Sequence, residues 1–221
     1  MPNLWRGESL AEIAAALEAS CPTLHLGVGQ RRRVIGGVYN VQHDGTFLAG
    51  FQIEIWLDRT DALGLPTVKE VGGRIPRLAD RHVNELDGSA CLYLPEDLAV
   101  CHSAPFNIVS FLDGPVRSYF LGQAGVELGV PFPLGEWGHG TDGLREMVRT
   151  LIGFDDVKVC IRFLELLGGK VIKTHWLCPC GSGGQLLRCH LEVVRTLRSR
   201  LTLSTRRFLL ERARAVLGRK T

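Results

Sequence analysis

Residues 33–57 read Arg33-Val34-Ile35-Gly36-Gly37-Val38-Tyr39-Asn40-Val41, then Gln42-His43-Asp44-Gly45, then Thr46-Phe47-Leu48-Ala49-Gly50-Phe51-Gln52-Ile53-Glu54-Ile55-Trp56-Leu57. In the last run Phe51, Ile53, Ile55 and Leu57 alternate with Gln52 and Glu54. That is the two-residue period of a strand buried on one face. The first run is rich in β-branched residues, and Asp44-Gly45 between the runs is a hairpin turn signal. A further short strand is expected over Pro66-Thr67-Val68-Lys69-Glu70-Val71. Such a meander is antiparallel and is joined by short turns, without crossover helices. The triplet Arg31-Arg32-Arg33 is expected to be a solvated strand end.

Helical patterns flank the meander. Ser9 can cap a helix over residues 9–18, in which Leu10, Ile13, Ala14 and Leu17 form an apolar stripe. Cys21-Pro22 ends it. Downstream, Ala104 to Leu112 begins a helix with Pro105 in its first turn, running on through Val116–Leu121. A Gly/Pro-rich loop spans 131–140. Helices follow over 142–153, with Asp142 as cap, and over 155–167, closed by Gly168-Gly169. Leu191–Leu217 is also expected to be helical, with Val193, Leu197, Leu201, Leu203, Phe208, Leu209 and Leu210 on a packing face. Helices segregated from an antiparallel sheet define an α+β class.

The chain of 221 residues carries a net charge of +3, unevenly spread. Residues 188–221 hold ten cations against Glu192 and Glu211, a net +8 on a body of −5. Such a basic run is usually a solvated helix face, and only Phe208 interleaves an aromatic with its charges. Nucleic acid is therefore not the expected partner. No run is long and apolar enough for a bilayer, and Met1–Arg6 has no signal-peptide core, so no membrane role is expected. Seven cysteines, three of them within twelve residues, do not form a disulfide framework. They point to a reducing, cytoplasmic protein that uses cysteine for metal binding, chemistry and packing.

Two cysteine-bearing stretches stand out. In Arg81-His82-Val83-Asn84-Glu85-Leu86-Asp87-Gly88-Ser89-Ala90-Cys91-Leu92, a thiol follows a tight Asp-Gly turn. Asn84 offers a carboxamide that can hold a loop or donate to an oxyanion. Cys101-His102 is a rival nucleophile pair, although adjacent side chains rarely face each other. The second stretch is His175-Trp176-Leu177-Cys178-Pro179-Cys180-Gly181-Ser182-Gly183-Gly184-Gln185-Leu186-Leu187-Arg188-Cys189-His190. Cys178, Cys180, Cys189 and His190 supply three thiolates and one imidazole. That set suits tetrahedral zinc with no open position, hence a structural ion. His175 is a spare candidate ligand.

The order of elements, together with His82-x-Asn84 and Gly88-Ser89-Ala90-Cys91-Leu92, resembles the ubiquitin-conjugating enzymes over roughly residues 8–165. The runs Tyr119-Phe120-Leu121-Gly122-Gln123 and Gly135–Gly140 resemble the divergent prokaryotic branch, members of which serve bacterial anti-phage conjugation systems. Val83 stands where that family carries proline. The resemblance implies an N-terminal helix, a four-stranded antiparallel meander and C-terminal helices in a domain over 1–168. The segment 169–221 is similar to a SEC-C zinc motif followed by a basic helix, and that motif's structural zinc usually supports partner binding.

The implied activity is that Cys91 accepts a ubiquitin-like protein from an activating enzyme as a thioester and passes it to a lysine of a target protein. Asn84 would stabilise the oxyanion or the loop, His82 would hydrogen-bond the loop, and Glu96 and Asp97 would orient the amine. His139 would reach the site or gate it. Two alternatives are an inert binding module of the same fold and a zinc-dependent nucleic-acid or partner adaptor.

Overall fold

The structure is a computed structural model that describes residues 2–29, 32–102, 104–130, 132 and 141–217. Arg31, and His139 with the rest of the glycine-rich loop at 133–140, lie outside the described residues. The protein is α+β and divides into two compact units: residues 3–93 with 102–136, and residues 1–2, 94–101 and 137–221.

The first unit is built on a sheet of order β1-β2-β3-β4, with β1 Leu24–Gly29, β2 Arg32–His43, β3 Thr46–Thr60 and β4 Pro66–Glu70. Every neighbouring pair is antiparallel. Asp44 and Gly45 turn β2 into β3 with φ of 48° and 77°, the positive pair that matches the twist of a tight hairpin. Along β3, Phe51, Ile53 and Ile55 are buried as the alternation predicts, Ala49 is buried with them, and Leu57 is only half-buried.

Helix α1 (Leu10–Ser20) opens on a capping box in which Ser9 and Glu12 satisfy each other's backbone N–H. Its buried Ile13 and Leu17 face the core. The helix expected from residue 104 starts later. Asn107 caps α3 (Ile108–Phe111), leaving Pro105 ahead of the cap. A π-helical turn over Leu112–Val116 contains Pro115, which has no N–H to give to a regular ladder. It leads into α4 (Arg117–Glu127), whose Phe120 packs on Phe51 and Tyr39 with ring centroids 4.9 and 5.6 Å away.

The second unit is helical. It contains α2 (Pro95–Cys101), α5 (Thr141–Ile152), α6 (Val157–Gly168), α7 (Leu191–Arg200) and α8 (Leu203–Leu217). Met147, Val148, Phe163, Leu164, Leu167, Val194 and Leu209 fill its core. Asp142 is not the cap of α5. It lies inside the first turn and pairs with Arg145. Asp156 caps α6, and Gly169 closes it. The basic helix expected over 191–217 is broken at Leu201, where the backbone turns extended and Thr202 caps α8. Helices α5 and α6 fall in the same compact unit as the cysteine-rich segment.

Candidate functional site

Cys91 lies at the end of a small backbone ladder. Its N–H donates to the His82 carbonyl (2.8 Å), Val83 bridges Ala90, and the Asn84 N–H donates to the Ser89 carbonyl (2.8 Å). The Ala90 N–H donates to Val68 O of β4 (2.8 Å), fastening the ladder to the sheet. Asn84 thus stands diagonally across the ladder from Cys91. Its Oδ1 accepts the Leu86 N–H at 3.1 Å, which shapes the turn.

Gly88 completes that turn at φ +73°, donating to Asn84 O at 2.7 Å. A Cβ there would be strained and would press on Arg77 at 3.1 Å. The Asp87 carboxylate accepts from the Ser89 N–H (3.0 Å) and hydroxyl (2.6 Å).

The Cys91 residue is exposed. Its sulfur still lies against enough of the loop that desolvation, and then the Asp87 carboxylate, push the thiol pKa above the usual value. Beside it is a cleft of about 270 Å³ lined by Lys69, Glu70, Arg77, Val83, Ala90 and Tyr119. His82 adopts a left-handed backbone (φ 50°, ψ 43°), and its ring lies 4.7 Å from that of Phe132. The contact of His82 with Cys91 runs through its carbonyl.

Glu96 and Asp97 are not the solvated acids that the sequence suggests. Both belong to α2 of the helical unit. Glu96 is fully buried (0 % exposed); its Oε1 accepts from Arg212 Nε, and its Oε2 has no partner among the described residues. Asp97 lies 3.9 Å from Cys101 Sγ. Desolvation and then that carboxylate raise the Cys101 pKa. The His102 ring lies tilted against Phe106, with centroids 4.6 Å apart, so it serves a ring contact.

The second candidate centre is a knuckle in the helical unit. Leu177 bridges Gln185, the Cys178 N–H donates to Gly184 O (2.8 Å), and Gly181 and Gly183 turn the chain at positive φ. The knuckle brings the ligand atoms of Cys178, Cys180, Cys189 and His190 within 4.8 Å of one another. Individual separations are 3.2 Å for Cys178 Sγ to His190 Nδ1, 3.1 Å for Cys189 Sγ to His190 Nδ1 and 3.6 Å for Cys180 Sγ to Cys189 Sγ. Bonds of ~2.3 Å to sulfur and ~2.0–2.1 Å to nitrogen give tetrahedral edges of about 3.5–3.8 Å; the S–S separation matches these, the two S–N separations are a few tenths of an ångström shorter, and the quartet could hold a metal ion.

The His190 ring is walled edge-on by Phe154 and Phe163 at 5.1 and 5.8 Å. Arg162 Nε donates to Pro179 O at 2.8 Å. Ser182 lowers the Cys180 pKa to about 6, while burial pushes Cys178 up to about 11.

Sequence spacing found this quartet in full. It missed Tyr119 and Gln123 as supports of the Cys91 loop, although both lay in a run singled out by resemblance. No helix among the described residues is long and apolar enough to cross a membrane. Comparison with protein-family models, with curated proteins and with solved structures finds no match to this chain.

Proposed function

We propose that the protein is an acyl carrier of the ubiquitin-conjugating type, in which Cys91 holds the C-terminus of a ubiquitin-like protein as a thioester. The observation that carries this reading is the exposed Cys91 thiol at the end of a ladder that also holds Asn84, on an α+β unit with an antiparallel meander. In the first step the Cys91 thiolate attacks the thioester carbonyl of a charged activating enzyme. A new S–acyl bond forms and the donor thiolate leaves. In the second step a neutral lysine amine attacks the Cys91 thioester. The tetrahedral oxyanion collapses, the attacking nitrogen gives its proton to water, the C–S bond breaks and Cys91 leaves as thiolate.

Asn84 supports this reading through its amide. Oδ1 is used within the turn, which leaves the Nδ2 hydrogens to donate to the oxyanion. The raised thiol pKa keeps Cys91 protonated at rest, which spares it adventitious oxidation. Val83 gives its N–H to Leu78 O at 3.3 Å, a bond that a proline at this position could not make. We assign zinc to the quartet of the knuckle, where it would serve as a structural ion holding Cys178, Cys180, Cys189 and His190 together. The partner-docking role of the knuckle and a role in anti-phage conjugation belong to the same reading.

The test is a conjugation reaction with a candidate activating enzyme and its ubiquitin-like protein. A thiol-sensitive adduct that persists in Cys101→Ala and vanishes in Cys91→Ala supports the reading. Absence of any adduct with an activating enzyme that charges its own cysteine contradicts it.

A further inference from the structure

The Arg81–His82 segment that holds the Cys91 backbone is itself held by α4. The Arg81 carbonyl accepts two hydrogen bonds from α4, one from Gln123 Nε2 at 2.7 Å and one from the Tyr119 hydroxyl at 3.2 Å. Gln123 closes a ring by accepting from Arg81 Nε through Oε1 at 2.9 Å. Gln123 is fully buried (0 % exposed), and Tyr119 is buried at 2 %. A buried amide that uses both ends on one residue is specific for that residue's position.

The next residue along is His82, in a left-handed conformation that a non-glycine residue adopts only when its surroundings hold it there. The His82 carbonyl is the acceptor for the Cys91 N–H. A continuous set of hydrogen bonds therefore runs from α4 through Arg81 and His82 to the Cys91 backbone. Among the described residues, Arg81 Nη2 is buried without a partner.

We propose that Gln123, assisted by Tyr119, is a positioning residue for Cys91: it clamps the Arg81–His82 peptide so that the His82 carbonyl fixes where the thiol stands. This inference rests on the acyl-carrier reading for its consequence in catalysis, and on the hydrogen-bond geometry alone for its consequence at the thiol. Gln123→Leu removes both halves of the clamp. Gln123→Glu keeps an acceptor for Arg81 Nε and turns a carboxylate oxygen, in place of the donor, toward the Arg81 carbonyl.

The experiment follows two rates in the full-length protein. One is thioester formation at saturating charged activating enzyme. The other is alkylation of Cys91 by iodoacetamide as a function of pH, with Cys21 of the same unit as reporter of unit-wide opening. In Gln123→Leu, thioester formation at saturation is expected to fall about tenfold or more, because a thiol displaced by a fraction of an ångström meets the carbonyl badly. The Cys91 alkylation profile is expected to move to lower pH as the loosened loop admits water, with Cys21 alkylation unchanged. Gln123→Glu is expected to follow in the same direction with native thermal stability closer to wild type.

Unchanged Cys91 profiles in both folded variants overturn the proposal. So does a change at Cys91 matched by equal opening at Cys21, since Gln123 would then only hold the unit together. If wild type forms no thioester while the Cys91 profile still shifts in Gln123→Leu, the clamp stands and the acyl-carrier reading falls.

Discussion

The two cysteine sites differ in how their chemistry is encoded. In the knuckle, four ligand atoms from a 13-residue stretch meet because the stretch folds back on itself, with Cys178, Cys180, Cys189 and His190 all within 4.8 Å. Local sequence therefore carries nearly the whole centre. At the ladder a single thiol acquires its environment from afar. Val68 of β4 holds Ala90, and Tyr119 and Gln123 of α4 hold Arg81. A local site is read from spacing, whereas a dispersed site is read only once the chain is folded.

The largest expected effect belongs to the local centre. Cys180→Ser should reduce bound zinc from about one per chain to near zero by elemental analysis, with loss of about 3 kcal/mol or more from the helical unit. Cys91 alkylation in the sheet unit should be unaffected by chelation, and an equal response of both would erase the contrast between the sites.

Next comes the buried ion pair. Arg212→Met strands a Glu96 carboxylate that is 0 % exposed, and should lower urea stability by about 3 kcal/mol. The double variant with Glu96→Met should recover most of that loss, because no buried charge remains. A double variant as unstable as Arg212→Met would contradict this account of the pair.

A smaller effect concerns pH. The Cys91 pKa is raised, so at neutral pH its thiolate fraction lies below that of a free cysteine. Alkylation should be slower than for a free thiol at pH 7 and should keep rising beyond pH 9. The same sign holds for stability. The folded state retains the Cys91 proton longer than the unfolded chain does. The Cys91 contribution is therefore intact below the ordinary thiol range and is lost as pH climbs through it to the raised folded value.

The smallest change is expected from Asp87→Asn, which keeps an acceptor for Ser89 and removes the charge that contributes second to the raised pKa. Cys91 alkylation at neutral pH should rise modestly, about twofold. A fall would mean that Asp87 acts on the thiol chiefly through the shape of the loop.

The hairpin at Asp44-Gly45, the Ser9 cap and the Gly169 stop were legible because each is a local rule satisfied by neighbouring residues. Other features were not. Strand β1 escaped assignment because Leu24–Gly29 is short and glycine-rich, and it becomes a strand by pairing with β2. The break before α8 was obscured by the continuous Arg/Leu pattern, although Thr202 carried a usable cap signal. Glu96 looked like a solvated acid after a proline. Its burial depends on Arg212, more than a hundred residues away. The left-handed turn at His82 has no glycine to announce it, and its supports lie on α4.

The central claim is that Cys91 carries an acyl group. The most direct measurement is intact mass after incubation with a charged activating enzyme and its ubiquitin-like protein. Wild type and Cys101→Ala should gain the mass of one modifier less water, reversibly with excess thiol, and Cys91→Ala should gain none. An adduct that survives thiol treatment, or one that persists without Cys91, would contradict the account.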